Sequence, residues 1–117
     1  MSYDVYADCP CCEKTAIELG NYTSNMYRFF KDFGVYPRDF DGITAPALRT
    51  LLKSGMDNIL VEIRKDRAAL SAKYNAPNGW GEVQSAIDWL LNMDRLLMEY
   101  MIQHPKGYEK LIIRVSA

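Results

Sequence analysis

Tyr3-Asp4-Val5-Tyr6-Ala7-Asp8-Cys9 alternates: Tyr3, Val5, Ala7 and Cys9 share one face of an extended chain, and Asp4, Tyr6 and Asp8 take the other. Cys9-Pro10-Cys11-Cys12 breaks the run, and Thr15-Ala16-Ile17-Glu18-Leu19 returns as a second strand before Gly20. Near the other end, Leu111, Ile113 and Val115 alternate with Ile112, Arg114 and Ser116. An isolated hairpin is marginally stable in water, so the N-terminal pair needs a further strand and a layer to cover it. The three segments together predict an α+β fold in which a small antiparallel sheet joins the N- and C-termini and packs against about three helices, as a single domain over residues 1–117.

The helices lie between the strands. Thr23 or Ser24 can cap the first, Met26, Phe29, Phe30 and Phe33 give it an apolar face, and Gly34 ends it. Pro37 and Asp41-Gly42 mark a turn-rich connection, after which Thr44 caps a second helix that tolerates Pro46 in its first turn. Leu48, Leu51, Leu52, Met56, Ile59, Leu60, Ile63 and Leu70 keep its helical period. Gly55 inside it costs ~1 kcal/mol relative to alanine and is a place where the helix could kink or break. The third helix is expected over residues 82–103, with Ser85, Asp88, Asn92, Arg95, Glu99 and Gln103 as a narrow polar stripe. Nearly everything else on it is apolar, which predicts burial over most of its circumference.

Composition excludes several classes of function. With 14 basic and 15 acidic side chains the net charge is -1, so no global field would gather nucleic acid or anionic lipid. A local basic patch remains at Arg64, Lys65 and Arg67. The apolar runs are too short to span a membrane, and the start lacks the charged and apolar regions of a signal peptide. The expectation is a cytoplasmic protein with three reduced cysteines. A homo-oligomer is compatible with this composition.

The most distinctive local feature is Asn78-Gly79-Trp80-Gly81, which follows Pro77 at the start of the third helix. Asn and Gly tolerate backbone conformations that other residues resist, and the tryptophan adds a large ring. A second polar cluster, Asn21-Tyr22-Thr23-Ser24-Asn25, also precedes a helix. Carboxamides beside an aromatic plane can hold a base, a sugar or a peptide. Alternatively, Asn78 and the glycines shape the helix start and Trp80 plugs the core.

Asp94 breaks the pattern of its helix by pointing almost opposite the polar stripe, which predicts a buried carboxylate paired with Arg49 or Arg67 or with loop amides. Its alternative role is in ligand binding or catalysis, with a nearby Tyr or Asn. Cys9 and Cys12 have the spacing of half a zinc site, yet zinc wants four ligands. Cys11, the distant His104, a carboxylate or a second subunit would have to complete it, so no cofactor is expected and zinc is the exception to test. His104, alone at a helix end, suits the helix dipole, and no catalytic arrangement can be built on one histidine.

Taken in order, the C-P-x-C turn, N-Y-T-x-N, D-x-D-G (residues 39–42), N-G-W-G and the terminal I-x-V-S (residues 113–116) resemble a family of small proteins encoded by bacteriophages and prophages. The resemblance covers most of the chain and implies matching positions at Asn21, Tyr22, Thr23, Asn25, Asp41, Gly42, Asn78, Gly79, Trp80 and Gly81. The cysteine turn departs from the pattern, with Cys11 as an additional thiol and Glu13 where a zinc knuckle favours glycine. The resemblance implies a non-enzymatic accessory protein acting inside the host cell, an inhibitor of host defence (anti-CRISPR-like or nucleotide-sequestering) that binds a host protein or a small nucleotide-like ligand. A zinc-knuckle module contacting nucleic acid through the Arg64, Lys65 and Arg67 patch is the alternative.

Overall fold

The computed structural model describes residues 2–12 and 14–116, so the expectation attached to Glu13 lies outside the described residues. Strands β1 (Ser2–Cys9), β2 (Lys14–Thr23) and β3 (Ile112–Ser116) form one antiparallel sheet in the order β2-β1-β3. The helices are α1 (Tyr27–Asp32), α2 (Ala45–Tyr74), α3 (Val83–Gln103) and the single turn α4 (Pro105–Tyr108). This is the α+β arrangement in which the two ends of the chain share a sheet. Tyr3, Val5 and Ala7 are buried, as their alternation requires, while Asp4 is exposed on the other face.

β3 is held from both sides. It pairs with β1 from Asp4↔Ser116 to Asp8↔Ile112. On its other side Gly42 N–H donates to the Ile113 carbonyl at 2.7 Å, and Ile113 N–H donates to the Ile43 carbonyl at 2.8 Å. Asp41 Oδ1 accepts from Val115 N–H at 3.1 Å, and Gly42 takes a φ of 89°. The D-x-D-G turn therefore serves to dock the last strand.

β2 does not end at Gly20. Asp4 pairs with Asn21 and Tyr6 with Glu18, so Val5 stands opposite both Leu19 and Gly20, a β-bulge in which Gly20 adopts a φ of 87°. A Cβ there would meet Trp89 Nε1 at 3.2 Å, and that indole donates to the Leu19 carbonyl at 3.2 Å. The bulge lets the strand continue through residues 21–23, which sequence pattern alone left outside it.

Two further expectations are corrected. The break in α2 falls at Asp66 (φ -165°, ψ 98°), not at Gly55. Asp66 Oδ1 accepts from Ala69 N–H at 3.0 Å, so the residue acts as an N-cap that restarts the helix. Gly55 stays helical, and its missing side chain leaves room for the chain that passes beside it: a Cβ there would overlap Val35 Cγ1 and lie 3.1 Å from the Phe33 carbonyl. Secondly, α3 is not buried over most of its circumference, because Leu91, Met98 and Ile102 are exposed. Its buried stripe consists of Val83, Ala86, Ile87, Trp89, Leu90, Met93 and Leu97; α3 packs against β2 and α2 and, through Trp89 on Phe30, meets α1.

The core is continuous from Tyr3 on β1 through Phe29 and Phe30 on α1 to Leu90 on α3 and Ile113 on β3. Full burial of a side chain such as Phe30 stabilises the fold by roughly 1.5–3 kcal/mol. Deleting residues 111–117 removes buried Leu111 and Ile113 and leaves β1 unpaired on one side. The truncated chain should lose its cooperative thermal transition in circular dichroism. A truncation that melts cooperatively near the parent temperature would contradict this.

Two phenols, buried Tyr3 and partly buried Tyr74, set an alkaline limit. Burial, then the neighbouring Tyr36, pushes the Tyr3 hydroxyl from 10.0 up to about 12. Burial, then the hydrogen bond it donates to Asp32, does the same for Tyr74, also to about 12. The folded state thus holds these protons more tightly than the unfolded chain. Their contribution is fully present below pH 10 and is lost as pH rises towards about 12. Denaturant midpoints should fall across that window, and Tyr74→Phe should flatten the fall; a flat profile in the parent protein would contradict the assignment.

Candidate functional site

The two polar clusters meet. Where α2 gives way to α3, Asn78 Oδ1 accepts from Trp80 N–H at 3.0 Å, Gly79 N–H donates to the Ala76 carbonyl at 3.1 Å, and Ala76 N–H donates to the Gly81 carbonyl at 2.9 Å. Gly79 and Gly81 have φ values of 76° and 148°, which only glycine adopts readily. From the other cluster, Asn25 Nδ2 donates to the Trp80 carbonyl at 3.2 Å. Gly81 also lies so close to the same segment that a Cβ would meet Met26 Cγ at 2.8 Å and Thr23 Cγ2 at 3.2 Å. Residues 55 positions apart in sequence thus form one surface.

That surface holds the indole outward. Trp80 is 72% exposed, whereas Trp89 is only 7% exposed. The core position belongs to Trp89, and the reading of Trp80 as a core plug is overturned. The loop's hydrogen bonds and glycine conformations fix its backbone while the ring faces solvent.

Tyr22 joins the clusters from beneath. Its ring stacks on Trp89 at 5.4 Å between centroids and 17° between planes, and meets Phe30 edge-on at 5.7 Å. Its hydroxyl accepts from Glu82 N–H at 3.3 Å and lies 3.0 Å from the Glu82 carbonyl and 2.5 Å from Ser85 Oγ. Glu82 is the N-cap of α3 but makes no side-chain cap of its own. Tyr22 therefore satisfies the Glu82 amide, and Asn75 Oδ1 accepts from Val83 N–H at 2.8 Å. The partner groups Asn75, Glu82 and Ser85 were not read as site residues, and no local pattern marks them, because the Tyr22 contacts span 60 and 63 positions.

The remaining candidates separate into distinct places. Thr23 caps the short 3-10 turn at Ser24–Met26 by accepting from Asn25 N–H at 3.3 Å. Asn21, one residue before Tyr22 in the strand, lines a shallow concavity of about 450 Å³ with Asp4, Tyr6, Thr15 and Glu18 on the outer face of the sheet. Asp94 lies eleven helical positions beyond Val83, roughly 16 Å along the axis of α3, and is not part of the Trp80 surface. Its Oδ1 accepts from Arg49 Nε at 2.9 Å, which confirms an arginine partner; Arg67, beyond the Asp66 break, does not serve.

The expected burial of Asp94 is corrected, since the Arg49 and Asp94 side chains remain 29% and 36% exposed. The pair lines an open groove between α2 and α3 with Lys53, Met56, Leu91 and Met101. The hydrogen bond to Asp94 raises the Arg49 pKa further. Burial raises that of Tyr108, against the nearby Arg49. A half-exposed pair is worth far less than a buried one, so Asp94→Ala should cost on the order of 1 kcal/mol in denaturant unfolding. A loss above ~3 kcal/mol would mean the carboxylate is desolvated as a buried partner is.

At the β1–β2 turn, Pro10 and a bond from Cys12 N–H to the Cys9 carbonyl at 3.4 Å fold the chain back. Cys9 Sγ and Cys11 Sγ lie 2.7 Å apart, and all three cysteine sulfurs fall within 4.8 Å of one another. Hydrogen bonds from the Cys11 thiol, the Cys11 backbone amide and the Cys12 thiol lower the Cys9 pKa from 9.0 to about 7, while the Cys11 thiol is raised. His104 caps the end of α3, with its ring 4.7 Å from that of Tyr100, and is not part of the sulfur cluster. Among the described residues no helix is long and apolar enough to cross a membrane. No family model matches the chain, and no curated protein or solved structure does either.

Proposed function

We propose that the protein is a non-enzymatic binding protein that engages a protein partner through Trp80 and the carboxamides of Asn25 and Asn78. The observation that carries this reading is an indole 72% exposed on a loop whose backbone is fixed by hydrogen bonds and by two positive-φ glycines. Leaving so much aromatic surface in water forgoes the stabilisation that burial would give. Tryptophan on a rigid frame loses little entropy when it inserts into a partner's pocket, and such residues dominate interface energetics.

Small ligands are held in concave sites that cover most of their surface. A ring that projects from a loop suits the opposite role, filling a cleft on a larger molecule. This favours a protein over a nucleotide-like ligand. The groups around Trp80 are carboxamides, backbone and an aromatic ring, which recognise and orient but do not exchange protons near neutral pH. In a phage-encoded protein the partner would be a host protein, and blocking host defence is the role that such binding would serve.

Surface substitutions away from structural contacts change stability by only about 0.5 kcal/mol, so Trp80→Ala should melt close to the parent protein. Photo-crosslinking from position 84, exposed in the first turn of α3, should trap a discrete protein in bacterial lysate, and Trp80→Ala should abolish the adduct. Asn25→Ala should weaken it. An adduct pattern indifferent to Trp80, or calorimetric binding of a free nucleotide that requires Trp80, would overturn the proposal.

A further inference from the structure

Away from the Trp80 surface, the β1–β2 turn gathers Cys9, Cys11 and Cys12 with their sulfurs within 4.8 Å of one another. Cys9 is half-buried at the end of β1, and Cys11 and Cys12 are exposed. The sequence spacing paired Cys9 with Cys12 and left Cys11 as one of several groups that could join them; the turn brings the Cys11 sulfur to both. We propose that this turn is a three-thiolate site for a closed-shell thiophilic cation, Zn(II) or Cu(I), with the three cysteines as ligands and the solvent side open.

The geometry fits one ion. Sulfurs bound at about 2.3 Å to a common centre sit roughly 4 Å apart. The present separations bracket that value, with Cys9 and Cys11 at 2.7 Å and the whole set within 4.8 Å. Rotation of exposed side chains opens the close pair without moving the strands. Pro10 and the Cys12-to-Cys9 backbone bond hold the turn in place, so little ordering is left for the metal to impose.

Soft thiolates select Zn(II) and Cu(I) over magnesium or calcium. Binding joins each sulfur to the ion by its lone pair and releases to solvent whatever thiol protons remain. Zn(II) would take an exogenous fourth ligand on the open side, whereas Cu(I) is satisfied by three.

The turn and the Trp80 surface lie at opposite ends of the ten-residue strand β2, roughly 30 Å apart at 3.3 Å per residue. The inference therefore stands apart from the proposed function. The test takes the full-length protein, reduced and metal-free under anaerobic conditions, and titrates it with Zn(II) and separately with Cu(I) against a competing chelator.

Native mass spectrometry should find one ion per chain, accompanied by an ultraviolet thiolate-to-metal charge-transfer band. Cys9→Ser, Cys11→Ser and Cys12→Ser should each weaken binding by more than the roughly 10–100-fold that outer-shell changes cost, with unchanged circular dichroism. The competition ranks the two ions, and tight binding of either supports the site. Binding that survives Cys11→Ser, binding only of shared metal between chains, or no binding by the fully reduced protein would each overturn it.

Discussion

Tyr22 has to satisfy two environments at once. Its ring lies in the core, stacked on Trp89 and edge-on to Phe30, while its hydroxyl reaches the amide and carbonyl of Glu82 at the start of α3. A helix start leaves amides without internal partners, and α3 has no capping side chain at its own N-cap. The end of β2 and the end of α2, through Asn75, supply those partners instead. The position of the Asn78–Trp80 turn, and hence the direction of its indole, follows from this borrowed cap. The bulge at Gly20 is what brings Tyr22 to the right place: without it the strand would present the opposite face.

The sheet was legible because its residues alternate. Tyr3, Val5 and Ala7 needed only a period of two to reveal their burial, and Ile113 at the other end matched them. The Thr44 cap of α2 was legible for a similar reason, since its partner Ala47 is three residues away. The break at Asp66 was not, because a helix-capping aspartate in mid-helix looks like one more solvated charge. Gly55 drew attention for its low propensity, yet its small size answers a tertiary demand, the close passage of Phe33 and Val35. Local cost and long-range need gave opposite readings of the same residue.

The candidate site was legible in its parts but not in its assembly. Both N-Y-T-x-N and N-G-W-G stood out by composition, and the hydrogen bond from Asn25 to the Trp80 carbonyl joins them in space. Which of the two tryptophans filled the core was not a property of either local sequence. Trp89 took it because its position on α3 faces Leu19 and Tyr22, leaving Trp80 on the loop. Asn21 was set apart by the same alternation that buries part of Tyr22. At α3 the helical wheel placed Asp94 correctly against Arg49 but overstated its burial, since a wheel shows direction and not how closely the neighbouring helix approaches.

The central claim is that a rigid loop holds Trp80 out while Trp89 is sealed beneath it, and hydrogen exchange in the unmodified protein tests it most directly. NMR should resolve two indole N–H signals. One, from Trp89 bonded to the Leu19 carbonyl, should exchange slowly, and the other, from Trp80, should exchange at nearly the rate of a free indole. In the same spectra the backbone amides of Ala76 and Gly79, bonded to the Gly81 and Ala76 carbonyls, should be protected. Equal protection of both indoles would place Trp80 in the core, and unprotected loop amides would mean that the ring is merely loose; either result would contradict the account.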